Sequence, residues 1–139
     1  MVKKDFKEKY MEHQVLMQQL QQLQENISSL DKHILDLKVL NDNLDSIGKT
    51  ESGKDTLMPL GSGIFVNGTL KDNKSVIMNV GANICVEKSV EEAKQTIDKQ
   101  IEDVGNLLEQ LQVEITNTSF RLQELQNEFQ NIREESLGD

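Results

Sequence analysis

The side chains that could perform chemistry are few in this sequence and lie far apart. His13 and His33 have no cysteine or carboxylate at the spacing of metal ligands, so the sequence predicts no metal site. Cys85 is the only cysteine and has no base beside it, so we expect an inert thiol without an internal disulfide. The segment nearest to a phosphate-binding loop, residues 63–69 (GIFVNGT), lacks the lysine and is typical of a strand. We therefore expect no catalytic residue, no cofactor and no enzyme activity.

The composition points away from a compact globular protein. Hydrophobic residues make up 36% of the 139 residues and aromatic residues only 4%, which is little for a globular core. The net charge of -9 argues against nucleic acid or an anionic membrane surface as a partner. The first residues lack the apolar core of a signal peptide, and no run approaches the roughly 20 apolar residues of a membrane span. We expect a cytoplasmic protein with neither nucleic acid nor membrane as a partner.

Two long segments carry the three- and four-residue spacing of coiled-coil helices. The seam of the first segment consists of Phe6, Tyr10, His13, Leu16, Leu20, Leu23, Ile27, Leu30, Ile34 and Leu37. The seam of the second consists of Val90, Ala93, Ile97, Ile101, Val104, Leu108, Leu111, Ile115, Thr118, Leu122, Leu125, Phe129 and Ile132. A capping box of Ser89 and Glu92 predicts the start of the second helix.

The two helices are expected to pair as an antiparallel coiled coil, because a short insert joins them and one register matches both seams. If Leu44 lies opposite Ala93, then Leu16 lies opposite Leu122, and the two residue numbers of every pair add to about 138. This register places the two chain termini together at one end of the coiled coil.

The course of the first seam beyond Leu37 has two interpretations. The seam either runs through Asn41 to Leu44, or it slips to Leu40 and leaves Asn41 exposed. The second interpretation is favoured, since an Asn buried in a seam costs stability while fixing the register.

The segment between the helices is the only part of the chain that is typical of β structure. Short apolar runs at residues 57–60, 64–70, 75–80 and 82–86 are separated by turn residues, which predicts four strands in two hairpins. Asn67, Thr69, Asn79 and Glu87 are expected on a solvated face. The opposite, apolar face consists of Ile64, Val66, Leu70, Val76, Met78, Val80, Ile84 and Val86. Because so small a sheet is not stable alone, we expect other subunits to cover this face.

The residues of this segment also resemble a known family. Leu57–Val66 (LMPLGSGIFV), Val76–Gly81 (VIMNVG) and Val86–Ser89 (VEKS) are similar to the central segment of prefoldin subunits. Two hairpins instead of one resemble the alpha class found in archaea. The family also has a long helix on either side of the hairpins, so the resemblance covers nearly all of the chain.

The resemblance implies a fold, a division of the chain and a function. The fold would be mainly α with a small β insert: residues 1–48 and 89–139 form the antiparallel coiled coil, and residues 49–88 form two hairpins of an oligomeric β-barrel base. The assembly would be a jellyfish-shaped hexamer of two alpha-class and four beta-class subunits. It would capture unfolded proteins without ATP and pass them to a group II chaperonin. The second hairpin would pair the chain with a second copy of itself and seat the beta-class subunits.

The end of the coiled coil that carries both termini is the candidate site. Apolar residues there spread beyond a single seam, and two helices cannot bury so wide a stripe. The candidate client-binding residues are Phe6, Tyr10, Met11, Val15, Met17, Phe129, Ile132 and Leu137. Lysines begin the first helix and acids end the second, each with the wrong sign for its helix macrodipole. We therefore expect this end to be mobile and partly unwound; the alternative for any one residue is local overpacking of the seam.

Two other kinds of protein fit parts of the pattern. A regulatory binding module such as a GrpE-type nucleotide exchange factor is also acidic and combines long helices with a small β part. In that type the β part follows the helices, whereas here it lies between them. A passive structural spacer would need no apolar end and would tolerate its removal.

Overall fold

The fold, obtained as a computed structural model, is described for the backbone of residues 2–137 and the side chains of residues 4–135. Helix α1 spans Val2–Lys49 and helix α2 spans Val90–Leu137. The strands between them are β1 Asp55–Gly61, β2 Ile64–Thr69, β3 Ser75–Gly81 and β4 Ile84–Ser89. Strand β1 pairs antiparallel with β2, and β3 with β4. The predicted fold class, two long helices joined by two hairpins, is confirmed.

Local hydrogen bonds mark where the helices stop and start. At the start of α2, the Ser89 hydroxyl accepts from the backbone N–H of Glu92 at 3.0 Å, which satisfies a donor that the first helical turn leaves free. At the end of α1, Thr50 donates its backbone N–H to the carbonyl of Ile47 and its hydroxyl to that of Ser46. Both contacts join residues close in sequence, so the chain leaves and enters the hairpins at fixed points.

The chain divides into two compact units, each of which contains part of both helices. The first, called the helical unit below, comprises residues 2–33 and 104–137, and its buried side chains are Leu122 and Leu125. The second, the hairpin unit, comprises residues 34–103 and buries Leu37, Leu44, Ala93 and Ile97. All six are apolar positions of the seams, so the heptad pattern determines the core of each unit.

Cross-helix contacts follow the predicted antiparallel register. In the hairpin unit, the ammonium of Lys94 forms an ion pair with Asp45. In the helical unit, Lys9 Nζ lies 3.1 Å from Glu128 Oε2. In both pairs the two residue numbers add to about 138, as the seams predict.

The interpretation that Asn41 lies exposed is wrong. Asn41 is half-buried, and its side-chain Nδ2 donates to Asp98 Oδ1 across the helices at 2.6 Å. Leu44 is 6% exposed and Leu40 is 41% exposed, so the seam runs through Asn41 and does not slip to Leu40. The Asn41 side chain remains in the seam because α2 supplies a polar partner, Asp98, at the same level. The Asn41 Oδ1 atom is enclosed and has no hydrogen-bond partner in the described structure.

The two hairpins are built alike, down to one irregularity. Met58 pairs with Val66 and Gly61 with Ile64, and the matching pairs of the second hairpin are Met78 with Val86 and Gly81 with Ile84. The pairing shifts by one residue between Pro59 and Gly61, and likewise between Asn79 and Gly81. Such a bulge bends a strand and increases its twist.

The second turn differs from its predicted position. Ala82 and Asn83 have φ values of 51° and 61°, so they form the turn, and β4 begins at Ile84 instead of Ala82. In the first hairpin, Ser62 and Gly63 occupy the same places with φ values of 49° and 78°. Positive φ at both central residues is the geometry of the tight turns that match strand twist.

The division of the hairpins into an apolar and a solvated face is also wrong in part. Leu57, Phe65 and Ile77 lie on the face that was expected to be polar, and all three are exposed. Ile77 is 78% exposed, more than any other large apolar side chain of the described residues. Both faces of the hairpins therefore carry uncovered apolar side chains.

Candidate functional site

A stripe of apolar side chains on α1 is exposed in the helical unit. We call it the terminal stripe, and its members are Phe6, Tyr10, Met11, Val15 and Met17. Each is between 42% and 58% exposed, although α1 is continuous through all of them. The stripe follows from the sequence, because a helix with apolar residues at adjacent positions cannot turn all of them toward one partner helix.

The other predicted members of this site lie differently. Phe129 and Ile132 of α2 are half-buried, so they pack between the helices and are only partly available to a ligand. The side chain of Leu137 lies outside the described residues. The sequence therefore placed the exposed residues on α1 correctly, but it did not distinguish them from the packed residues on α2.

An aromatic cluster connects the terminal stripe to the helix interface. The ring centroids of Phe6 and Phe129 are 5.4 Å apart with the planes tilted by 57°, and Phe6 stacks on Tyr10 at 6.4 Å. His13 also packs against Phe129, with ring centroids 5.7 Å apart. Tilted and offset arrangements of this kind are the favourable ones for aromatic pairs. Phe129 thus holds two residues of α1 in place, including the first member of the stripe.

Ion pairs join the two helices beside this cluster. The Arg121 guanidinium binds Glu12 with two parallel hydrogen bonds, Nε to Oε1 at 2.8 Å and Nη2 to Oε2 at 3.0 Å. Its Nη1 also donates to Glu124 at 3.1 Å. The hydrogen bonds from Arg121 lower the pKa of Glu12 below its usual value. A bidentate pair of this type fixes the relative orientation of the two side chains as well as the distance between them.

The expected unwinding of this end is not found. Helix α1 begins at Val2 and α2 continues to Leu137, and Leu125 between them is completely buried. One ion pair between the helices, Lys9 to Glu128, offsets part of the unfavourable helix-end charge. The described residues thus present the terminal stripe on intact helices, and the mobility of this end stays a prediction.

The sequence analysis missed three exposed apolar residues of the helical unit, Leu107, Val113 and Phe120. Val113 and Phe120 lie on α2, and Phe120 is 66% exposed. They are one heptad apart and therefore share a helix face, but this face is not the seam. The sequence did contain a signal, because Phe120 is an aromatic residue at a heptad position that is normally polar.

The predicted oligomerisation residues lie on the hairpins, where four of them are exposed and four are half-buried. Ile64, Val66, Val80 and Ile84 are exposed. Leu70, Val76, Met78 and Val86 are half-buried. The strands of one hairpin do not contact the strands of the other within the described residues. This arrangement leaves the apolar surface of each hairpin available to another chain.

The described residues contain no cluster of three or more metal-binding side chains, and none of their helices is long and apolar enough to cross a membrane. Cys85 is exposed on β4 as a free thiol. His13 contacts an aromatic ring, as described above, and His33 is exposed on α1.

Comparison with known proteins gives consistent matches along most of the chain. A family model described as "Prefoldin subunit" matches residues 16–135. The prefoldin subunit alpha of Thermofilum pendens is 30% identical over 112 residues, which are 81% of each chain. That of Methanococcus maripaludis is 29% identical over 114 residues, covering 82% of this chain and 77% of the relative. That of Pyrococcus horikoshii is 27% identical over 124 residues, covering 88% and 84%.

A solved structure is similar in fold as well. The cryo-EM structure of a filamentous PFD from Methanocaldococcus jannaschii superimposes with a TM-score of 0.74 at 27% sequence identity. The match covers 83% of the present chain and 95% of the other. Sequence and fold therefore point to the same group of proteins.

Proposed function

The chain belongs to the prefoldin family, and on that premise we propose that it is an alpha-class subunit of a chaperone that captures unfolded proteins without ATP and delivers them to a group II chaperonin. The family match does not by itself identify the residues that bind a client. We assign this role to the terminal stripe, with Phe129 and Ile132 contributing their accessible edges.

One observation carries the assignment: the terminal stripe gathers five exposed large apolar side chains within residues 6–17 of α1. Three of its members, Met11, Val15 and Met17, are about half exposed and lie at positions of α1 that are not part of the seam. Met is flexible and polarizable, which suits a surface that must accept many different apolar segments. The stripe is next to Lys9, Glu12 and other charges, which keep its surroundings hydrated.

A single stripe of this size would bind an unfolded chain only weakly. An assembly of several subunits offers several stripes to one client, and each contact after the first is made at a high effective concentration. Overall affinity then rises without any strong single site. Binding through several weak contacts suits a client that has no fixed shape. Release of the client then requires no nucleotide.

We propose that the subunit works in an assembly of two alpha-class and four beta-class chains in the cytoplasm. Residues 49–88 would form the oligomerisation segment, in which the apolar hairpin residues are covered by a second copy of this chain and by beta-class subunits. Residues 1–48 and 89–139 would form the coiled coil. The exposed apolar residues of the hairpins and the similarity to prefoldin alpha subunits support this arrangement.

Suppression of aggregation tests the assignment. We expect the complex of this chain with a beta-class subunit from the same organism to keep a chemically denatured protein soluble without ATP. Replacing Met11, Val15 and Met17 together by Ser should weaken this activity several-fold, because it removes exposed apolar surface that clients would bury. The matched control replaces Leu35 and Val39 by Ser, which are equally exposed on α1 but belong to the hairpin unit.

Both variants replace exposed side chains, so neither should alter folding. Circular dichroism of each variant checks this. The assignment is wrong if the triple variant protects the client as well as the wild type, or if the control loses as much activity as the triple variant.

The second arrangement to consider is an open filament of this chain alone. It is favoured by one observation, the similarity to a filamentous PFD. Light scattering of this chain, alone and mixed with a beta-class subunit, decides between the two, since a filament of the chain alone grows with concentration whereas the closed mixed complex has a fixed mass. The family match sets aside the exchange-factor alternative.

A further inference from the structure

The terminal stripe contains two methionines whose side chains are open to solvent. Met11 is 58% exposed and Met17 is 48% exposed. An accessible thioether can be oxidised to a sulfoxide, which converts a flexible apolar side chain into a polar one. The only cysteine of the chain, Cys85, lies on β4 and outside the stripe. Oxygen transfer to sulfur within the stripe would therefore occur at Met11 and Met17.

The other two methionines of the described residues are less accessible. Met58 is 44% exposed on β1, and its sulfur lies 3.0 Å from the place that a Cβ atom would take on Gly68 of β2. The Met58 thioether therefore packs across the hairpin against the glycine backbone. Met78 is half-buried on β3. Both lie on hairpins that other subunits would cover in the proposed assembly, so an oxidant should reach Met11 and Met17 first.

The two methionines of the stripe lie on different sides of α1. Each residue of an α-helix advances by about 100°, since one turn takes about 3.6 residues. Phe6, Tyr10 and Met17 then fall within about 40° of one another and form one side of the stripe. Met11 and Val15 are about 40° apart and form the other side, with Met11 about 120° from Met17. Each side of the stripe thus contains one methionine.

We propose that Met11 and Met17 form a reversible oxidation site, at which conversion to sulfoxides lowers the affinity of the terminal stripe for unfolded clients. The oxidant is of the peroxide class, and the reductant is the dithiol used by methionine sulfoxide reductases. The inference rests on the proposed function, in which the stripe binds clients, and it adds a regulation of that surface. Affinity falls because a sulfoxide oxygen accepts hydrogen bonds from water, and an apolar client that covers it offers none in return.

The oxidation step requires only the thioether and the peroxide. A lone pair of the methionine sulfur attacks one peroxide oxygen, an S–O bond forms and the O–O bond breaks. The sulfur loses two electrons, and the second oxygen leaves as water after taking the proton of the transferred oxygen. In the return step a dithiol reduces the sulfoxide, the oxygen leaves as water and the two thiols become a disulfide. Neither step breaks the polypeptide, so the original side chain is recovered.

The helices should survive this change, because both methionines are about half exposed and lie outside the seam. The buried side chains of the helical unit are Leu122 and Leu125, which peroxide does not oxidise. A sulfoxide in a packed core disrupts the packing, whereas the added oxygen on a half-exposed side chain can point to water. Oxidation would therefore change what the surface binds while α1 stays helical.

The two sides of the stripe should not be equally sensitive. Oxidation of Met17 leaves Phe6 and Tyr10 as apolar residues on its side. Oxidation of Met11 leaves only Val15 on the other side. Met11 is also the most exposed member of the stripe, so it should react at least as fast as Met17. We therefore expect Met11 to account for the larger part of the loss.

A peroxide titration of the assembled complex tests the site. The complex of this chain with a beta-class subunit is treated with hydrogen peroxide, which is then removed. Protection of a chemically denatured protein is measured without ATP, and each complex is compared with its own untreated activity. Replacing Met11 and Met17 together by Leu removes both thioethers, so the same fractional loss should need a several-fold higher peroxide dose. The matched control, Met58→Leu, removes a hairpin thioether and should leave that dose unchanged.

A test without oxidant uses glutamine, which is polar and similar in length to methionine sulfoxide. Gln and Met have similar helix propensities, so α1 should keep its structure, and circular dichroism checks this. We expect Met11→Gln to weaken protection of the client several-fold, and Met17→Gln to weaken it less.

Mass mapping and reduction follow the modification itself. After a mild peroxide dose, peptide mass mapping should find sulfoxides at Met11 and Met17 before Met58 and Met78. Two methionine sulfoxide reductases, one for each sulfur epimer, are then added to the oxidised complex with a dithiol. We expect this treatment to restore protection of the client.

The results separate this inference from the function it rests on. The oxidation site is refuted if the hairpin methionines oxidise first, if the Leu pair and the wild type lose activity at the same dose, if Met11→Gln protects as well as the wild type, or if reduction restores nothing. In each case the proposed function stands when the untreated wild-type complex protects the client and the triple Ser replacement at positions 11, 15 and 17 does not. If the untreated wild-type complex gives no protection, the proposed function fails and the inference fails with it.

Discussion

Replacing Asn41 by Leu should stabilise the coiled coil of the hairpin unit while weakening its register. Asn41 is half-buried between Leu37 and Leu44, so a Leu side chain there gains about 1 to 1.5 kcal/mol from apolar burial. The hydrogen bond to Asp98 is lost, at a cost of about 1 kcal/mol, and Asp98 returns to water because it is exposed. Removing the enclosed, unpaired Oδ1 recovers about 1 kcal/mol. The expected net gain is therefore about 1 kcal/mol.

Urea unfolding followed by circular dichroism measures this gain, and the matched control is Asn43→Leu. Asn43 is exposed on the same helix, so its replacement should leave the free energy of unfolding unchanged within about 0.5 kcal/mol. Register is measured by a disulfide between cysteines at positions 45 and 94, which should form more slowly in the Asn41→Leu variant. The reasoning is refuted if Asn41→Leu destabilises the protein, or if both Leu variants give the same gain.

Three further outcomes are expected. Leu125→Ala should destabilise the helical unit by about 2 to 3 kcal/mol, which is the low end of the usual range because a single seam can partly collapse around the lost side chain. The exposed Leu40 should cost less than about 1 kcal/mol when replaced by Ala. Amide exchange near each site measures both changes. Because Arg121 lowers the pKa of Glu12, ionised Glu12 stabilises the fold above about pH 4.5, and this contribution disappears as the pH falls through the lowered pKa. Thermal unfolding of wild type and Glu12→Gln should therefore converge at acid pH, and a widening gap would contradict this. Ser89→Ala should cost about 1 kcal/mol through loss of the helix cap, as urea unfolding will show.

Much of the fold could be predicted because its determinants are local in sequence. The heptad seams predicted both helices, and the capping residue Ser89 predicted the start of α2. Glycine and polar residues predicted the turns between the strands. The register was also accessible, since one register matches the two seams over their whole length. Asn41 was placed wrongly because its burial depends on Asp98, a partner from the other helix that no local pattern reveals.

The candidate site was predictable to a smaller degree. Alternation assigns a strand residue to a face but does not show whether that face is covered, so the exposure of Leu57, Phe65 and Ile77 was missed. A turn formed by Ala82 and Asn83 looks like a strand, because neither residue is a glycine. On the helices, seam position alone did not separate the half-buried Phe129 from the exposed stripe.

Client contact at the terminal stripe is the central claim, and site-specific photocrosslinking tests it most directly. A photoreactive side chain is placed at Met17 in the helical unit or at Val39 in the hairpin unit, both exposed on α1. The assembled complex is then mixed with a chemically denatured protein without ATP. We predict strong crosslinks to the client from position 17 and few from position 39. Equal crosslinking from both positions, or crosslinks only from position 39, would contradict the account.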